Sequence, residues 1–304
     1  TNQLGVLLKM KIYDVAFLGM GASALATAKL KYKGTSISLI GIDKNYHSKR
    51  NNFFAFWLTD WMKDFDSLAQ KKWFCWNFYL TNNHIKHETK DLPYCTIRYQ
   101  DWKNYCLKGL ENLSIKEFNV QSITNLKKYY EIKLENGEEI FAKKIYDSRT
   151  PKLENEKVKQ HFFGYLIETK QIINSNSVTL MDFRVEQKMG LHFMYCLPID
   201  ENRMLVESTV FSSEIQEDAW YQKQILEYIE TKLNLSEYKI VDEEKGALPM
   251  YDIENKSSEN YINIGSRGGA TKISTGYAFS FFLKNIMLNF CLLYTSPSPR
   301  DLWI

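Results

Sequence analysis

Apolar positions in the first part of the chain fall into a strand, turn, helix, strand rhythm. Tyr13-Asp-Val-Ala-Phe-Leu18 is a short apolar run that stops at Gly19-Met-Gly21-Ala-Ser-Ala24. Leu25 to Leu30 then continues at helical spacing, and Ser36 to Asp43 is a second strand-like run closing on an acid. The pattern predicts helix and loop over the aromatic segment 53–80, a strand over 94–99 and a short helix over 101–110. From 115 to 146 short β runs alternate around Asn136-Gly137, a hairpin signal. Further strands are expected at 161–169, 177–184, 192–197 and 203–211, and a helix at 217–233. The chain then returns through 243–250 to the strand Tyr261-Ile-Asn-Ile-Gly265 and an apolar helix over 275–290.

This order describes an α/β protein: a discontinuous dinucleotide-binding domain with an inserted β-rich (α+β) substrate domain. The expected boundaries are 10–46, 96–150 and 243–290 for the first domain, and 47–95 with 151–242 for the second. Val15 to Ala28 is too short for a membrane span, which needs about 20 apolar residues. A secretory signal at the same place is disfavoured by Asp14, the paired glycines and the matching second strand.

Composition narrows the function classes. The 304 residues are 44% hydrophobic and 25% charged, with a net charge of +3 and no long Lys/Arg block, which argues against a nucleic-acid partner. Five cysteines lie scattered without a C-x-x-C pair, so neither a zinc site nor a disulfide framework is expected, and a reducing cytoplasm fits. The histidines lack metal-ligand spacing, and no metal is expected. Residues 53–79 hold eleven aromatics, four of them Trp. They read either as a packed core or as a pocket for a large apolar ligand.

Gly19, Gly21 and Ala24 form G-x-G-x-x-A between a strand and a helix. The first glycine permits the tight turn, the second lets backbone approach a pyrophosphate, and the small third residue lets helix and strand pack closely. Asp43 follows Gly19 by 24 residues at the end of the second strand, near the spacing of a ribose-binding carboxylate, and favours FAD or NAD over NADP. A second glycine-rich loop, Gly265-Ser-Arg-Gly268-Gly269, opens the last helix and is a further candidate for holding the cofactor. Asp147 and Arg149 form a charged pair at a strand end before Pro151 that reads, from the residues alone, as an ordinary turn ion pair. Glu207 is the lone carboxylate of Met204-Leu-Val-Glu-Ser-Thr-Val-Phe211. If residues 205, 207, 209 and 211 face inward, burial would raise its pKa and suit it to a general acid; if they face water, it is an ordinary surface residue.

Several stretches together resemble lycopene β-cyclases, in family order from about residue 11 to 290. They are Tyr13-Asp-Val with Gly19-x-Gly21, Tyr146-Asp-Ser-Arg-Thr-Pro151, Gln160-x-Phe-Phe-Gly164, Met181-Asp-Phe-Arg184, Phe193-x-Tyr-x-Leu-Pro198, Leu205-Val-Glu-Ser-Thr209, Gly246-Ala-Leu-Pro249 and Ile264-Gly with Thr275-Gly-Tyr277. The resemblance implies a Rossmann-type FAD-binding domain and a reduced FAD supplied with electrons by NAD(P)H. It implies a linear carotenoid such as lycopene as substrate, closed at its ψ-end into a β-ionone ring with no net redox change. The protein would sit in the cytoplasm, peripheral to the membrane. Glu207 takes the place of the family's catalytic carboxylate, Asp182 is the second catalytic candidate, and Asp147 and Arg149 join the cofactor-binding candidates.

The chain departs from the family at Phe54, where a pocket Trp is common. Residues 1–9 read as an upstream remnant, since Met10 sits just before the first strand. Residues 291–304 resemble a translated sequencing adapter and read as a non-native tail, so the family's last helical region is not expected in this chain. Alternatives are a flavin-dependent isoprenoid reductase or monooxygenase, or a non-catalytic flavin- or carotenoid-binding relative. The first group usually carries Gly-Asp where this chain has Gly265-Ser266; an exposed Glu207 would favour the second.

Overall fold

A computed structural model describes residues 11–50, 52–254 and 256–291. The expected remnant at 1–9 and the tail from 292 onward lie outside these residues. The chain opens with β1 (Ile12–Leu18), α1 (Ala22–Tyr32) and β2 (Leu39–Ile42). Then come β3 (Phe53–Trp57), a 3-10 segment (Asp60–Leu68), β4 (Lys71–Trp73), β5 (Cys75–Leu80), β6 (Asn83–Glu88) and β7 (Tyr94–Arg98). After α2 (Tyr99–Leu107) run β8 (Leu113–Lys116), β9 (Val120–Asn125), β10 (Tyr130–Leu134) and β11 (Glu139–Asp147). The second half holds β12 (Lys159–Thr169), β13 (Val178–Asp182), β14 (Leu191–Pro198), β15 (Arg203–Ser212), α3 (Asp218–Thr231), β16 (Tyr238–Pro249), β17 (Tyr261–Asn263) and α4 (Phe279–Cys291).

The first sheet has the order β8-β2-β1-β11-β10-β9, with β17 beside the end of β11. Strands β8, β2, β1, β11 and β17 are mutually parallel, and β9 to β11 form the antiparallel excursion turned by Asn136-Gly137. Parallel strands with both faces covered are apolar throughout, as Leu39–Ile42 shows. One face packs on α1, α2 and α4 through Leu25, Trp102, Cys106, Leu283 and Ile286. The second sheet has the order β16-β12-β15-β14-β13-β5-β6, and β3, β7 and β4 form a small third sheet. In the second sheet one face packs on α3 through Phe163, Ile167, Val206, Val210, Ile225 and Ile229. Alternation then turns Phe162, Gly164, Leu205, Glu207, Phe193 and Tyr195 to the opposite face.

Three expectations need correction. Segment 53–80 is mainly strand, because its bulky aromatics fit a pleated surface and pair with β7 and β13. The last helix begins at Phe279, not Thr275. Gly276 has φ +74°, and its N–H closes a turn onto the Lys272 carbonyl at 2.7 Å. The boundary expected at 243 falls inside β16, which pairs with β12 along its length. The chain rejoins the first sheet only at β17. Among the described residues no helix is long and apolar enough to cross a membrane.

Candidate active site

A cavity of about 690 Å³ runs from the N-terminus of α1 to the open face of the second sheet. At the α1 end its wall is Gly21, Ala22, Ser23, Gly265 and Ser266, with Lys49 and Arg50 nearby. Gly21 is the N-cap of α1 and has no side-chain cap, so the first-turn N–H groups of the helix are left for another acceptor. A Cβ built on Gly21 meets nothing within 4 Å. It would point into open space.

The other glycines shape this end from behind. Gly19 has φ +78°, and a Cβ there would lie 3.2 Å from the Arg149 amide nitrogen. A Cβ on Gly265 would lie 2.5 Å from Ser23 Oγ, so the late loop can touch α1 only because that position is glycine. Gly268 passes the Asn263 carbonyl equally tightly, and Gly269 closes the turn at φ +76°. Ala24 is fully buried in the helix core. Asp43 ties the ends of the two strands together: its carboxylate accepts the Met20 and Asn45 N–H groups, each at 2.9 Å, with the Arg50 guanidinium at 3.4 Å. Of the expected cofactor residues, Gly21 and Gly265 therefore line the cavity, and Gly19, Ala24, Asp43, Gly268 and Gly269 fix the shape of the turns.

Asp147 and Arg149 do not line it. Asp147 is fully buried and grips the Arg149 guanidinium through Nε at 2.9 Å and Nη2 at 2.7 Å. The Tyr261 hydroxyl donates to it at 2.7 Å and Arg267 lies at 3.4 Å. Burial alone would raise this carboxyl, but the guanidinium and its hydrogen bonds hold it below the usual carboxylate range. The pair braces the two glycine turns from below, while Ser148 and Thr150 reach the cavity.

Asp182 repeats that arrangement in the second sheet. It takes Arg184 Nε at 2.9 Å and Nη2 at 2.6 Å, with the Tyr228 hydroxyl of α3 at 2.7 Å. Its carboxyl is likewise held low by Arg184 against the opposing effect of burial. Asp182 faces α3, whereas its neighbours Leu180 and Met181 face the cavity. An ionised, fully partnered carboxylate away from the cavity cannot be its acid. The expectation for Asp182 is corrected to a structural role.

Glu207 lies in the cavity wall with Leu205 and Thr209, and only 7% of it is exposed. Thr209 Oγ1 donates to its carboxylate at 2.5 Å. Burial pushes its pKa up to about 7, with the Thr209 hydroxyl opposing. Sequence reasoning missed its partner, Glu244 of β16, which also lines the cavity and shares a hydrogen bond with Glu207. Gly164 of β12 is the cross-strand partner of both, Glu207 on one side and Glu244 on the other. The Phe53 N–H donates to Glu244 at 3.2 Å. Burial, then the adjacent Glu207, push Glu244 well above the carboxylate range. The one available signal was an acidic run in a strand leading into Gly246-Ala-Leu-Pro249.

Aromatic groups surround the pair. The Tyr94 and Tyr195 hydroxyls are 2.6 Å apart, Tyr277 joins Tyr94, and Trp57 packs on Tyr94 and Tyr277 at 4.8 and 5.2 Å. Phe54, at the position where the family often has Trp, lines the cavity and stacks on Phe279 at 5.0 Å. Among the described residues no cluster of ligands could hold a metal ion.

The fold is shared with solved proteins, a flavin-dependent enzyme and an FAD complex among them. A geranylgeranyl bacteriochlorophyll reductase-like protein from Thermoplasma acidophilum matches with a TM-score of 0.71 at 10% identity, over 92% of this chain and 77% of that one. The flavin-dependent brominase Bmp2 gives 0.61 at 14% identity, over 96% and 82%. A variant of the halogenase PltM in complex with FAD gives 0.63 at 11%, over 92% and 67%. The architecture is thus the expected Rossmann-type FAD-binding fold with a β-rich second sheet. In sequence, the chain is 23% identical to a chloroplastic neoxanthin synthase from Solanum tuberosum, over 87% of this chain and 57% of that protein. The chain spans just over half the length of that relative. The profile described as "Lycopene cyclase protein" matches residues 14–286, nearly all of the described chain, and the chain belongs to the lycopene cyclase family.

Proposed function

We propose that this protein is a flavin-dependent carotenoid cyclase that closes the ψ-end of lycopene or a related linear carotenoid into a β-ionone ring. The carrying observation is Glu207: a desolvated carboxyl aimed into a cavity with aromatic walls. Protonating an alkene needs an acid that keeps its proton near neutral pH, and burial supplies that here. A Glu207 at 7% exposure does not favour the non-catalytic alternative.

FAD fits the other end of the same cavity. Gly21 leaves unfilled space beside the uncapped N-terminus of α1, which suits a pyrophosphate, and Asp43 stands at the end of β2, where a ribose hydroxyl would be held. When bound, the reduced flavin would contribute negative charge that stabilises a cationic intermediate. The chain's own residues do the rest. Phe54, Phe162 and Phe193 line the cavity with apolar surface that takes the polyene and excludes water, which would quench a carbocation. Tyr94, Tyr195 and Tyr277 line the same cavity, and aromatic rings there would favour positive charge. A lipid-soluble substrate suits a protein that works in the cytoplasm, peripheral to a membrane.

The test is expression of the complete gene in lycopene-accumulating cells, with the carotenoids identified. Glu207→Gln keeps the shape but removes the transferable proton, a change typically worth about 10²–10⁴-fold in rate. Flavin should still bind while cyclised product nearly disappears. Glu207→Asp should retain a trace. Normal β-ring product from the Gln variant would sink the proposal.

A further inference from the structure

We infer that Glu207 and Glu244 act as one acid–base device that shares a single proton, with Glu244 as a second catalytic residue. The inference rests on the cyclase reading above, and it goes beyond it by assigning both the acid and the base.

The geometry comes from three adjacent strands. In β15, β12 and β16, Glu207, Gly164 and Glu244 lie side by side on one row. Directly paired residues project to the same face, so both carboxyl groups rise over β12 into the cavity. Flanking strands of such a trio are about 10 Å apart, twice the usual strand spacing. Two glutamate side chains can close that gap only if nothing stands on the middle strand. Gly164 leaves the lane clear, and even a methyl there would lie 3.2 Å from Leu205 Cδ1 and 3.3 Å from Glu207 Cβ.

A hydrogen bond between two carboxyl groups requires a proton on one of them, because two carboxylates offer only acceptors. The surroundings of both hold that proton on the pair. Glu207 accepts the Thr209 hydroxyl at 2.5 Å, while burial lifts its pKa to about 7. Glu244 accepts the Phe53 N–H at 3.2 Å, and the proton it shares with Glu207 lies between the two carboxyls. Tyr195 of β14, Tyr277 ahead of α4 and Asp242 of β16 act on the pair, and none of these three is a cation. Of the basic residues lining the same cavity, Arg50 lies beside Asp43 and Lys245 pairs with Asp218. No cation is among the groups that shift Glu207, so burial disfavours a charge on both carboxyls at once.

Such a pair matches the bookkeeping of ring closure. The pair's proton passes to the terminal double bond of the polyene and leaves a carbocation. The electron pair of the next double bond forms the ring C–C bond and moves the charge onto the ring. A ring C–H then loses its proton to the carboxylate, and its electron pair becomes the ring double bond. The pair ends with the one proton it began with, the carotenoid is isomerised, and nothing is oxidised or reduced.

The test follows the pair's protonation as well as its product. Glutamate-edited infrared spectra of the complete protein, recorded across pH 5–9, report protonated carboxyl groups directly. Two like charges competing for one site raise the upper transition of a pair above that of either group alone. The wild type should therefore keep a protonated carboxyl at a pH where Glu207→Gln and Glu244→Gln have both lost theirs. In lycopene-accumulating cells, Glu244→Gln should retain flavin and lose at least about 10²-fold in cyclised product, the lower range for a general acid–base group. Glu244→Asp, set back by one methylene, should keep a trace. An upper transition no higher than in the single variants, or normal cyclisation by Glu244→Gln, would overturn the shared-proton device. Loss of product in Glu207→Gln alone would leave the cyclase reading standing, and that reading itself fails only if Glu207→Gln also cyclises normally.

Discussion

Gly164 is the direct cross-strand partner of Glu207, and a Cβ on the glycine would sit 3.3 Å from the Cβ of the glutamate. The position is tight without being strained, since its backbone is ordinary strand. A larger residue there would stand between the two carboxyls and lean on Leu205. Gly164→Val should therefore cost about 1–3 kcal/mol through overpacking and abolish cyclisation while flavin stays bound. Chemical denaturation, flavin absorbance and product analysis separate these effects. Unimpaired product would show that the clear lane over β12 does not matter.

Gly21 presents the opposite case. Its backbone lies in the extended region and a Cβ meets nothing, so the fold itself does not need glycine there. Gly21→Val should leave the melting temperature of the flavin-free protein within a degree or two while flavin is lost on purification. Full flavin absorbance in that variant would mean that the cofactor does not approach the α1 N-terminus.

Glu207 should lower stability where it serves chemistry. Its folded pKa, about 7, lies above the ordinary value of 4.5, so the buried charge destabilises the fold as pH rises from about 4.5 through 7. Glu207→Gln should be more stable than the wild type at pH 8, by roughly 1–3 kcal/mol. The difference should vanish near pH 4. Equal or lower stability of the variant at pH 8 would show that this carboxyl is not desolvated in solution.

His161 has the reverse sign. It is fully buried behind the second sheet between Tyr221 and Ser212, and burial brings its pKa down to about 4 from 6.5. Stability from this group is complete above 6.5 and falls as pH drops toward 4, because the unfolded chain takes up the proton first. His161→Gln, neutral throughout, should flatten the pH dependence of the melting temperature between 6.5 and 4. An unchanged slope would exclude His161 as its source.

Asp182 is assigned to structure, and its replacement should say so. Asp182→Asn leaves the Arg184 charge without its partner and weakens the Tyr228 bond to α3. Because Arg184 is about a third exposed and solvent can take up part of its charge, a loss of about 1–3 kcal/mol is expected. Cyclised product per folded, flavin-bearing molecule should stay near normal. A selective loss of product in a stable variant would return Asp182 to the list of proton donors.

Much of this was legible in the sequence because it is local. The strand, glycine turn and helix around Gly19 and Gly21 follow from spacing along a few residues, and Asn136-Gly137 fixes a hairpin by its own backbone preference. Alternation in 204–211 divided the two faces of β15 correctly, so Glu207 could be set beside Leu205 and Thr209. What no local pattern holds is which face is dry and which strands are neighbours. Segment 53–80 became strands because β7 and β13 offered edges to pair with. Asp182 has the same alternation signal as a site residue, yet Arg184 and Tyr228 consume it. Glu244 joins Glu207 only because β16 and β15 flank β12 in a register that brings both to Gly164. The period of side chains along a strand is a property of the backbone, and so it can be read from one segment. Strand order and register are set by the burial of the whole sheet, and only the tertiary structure could bring the two carboxyls together.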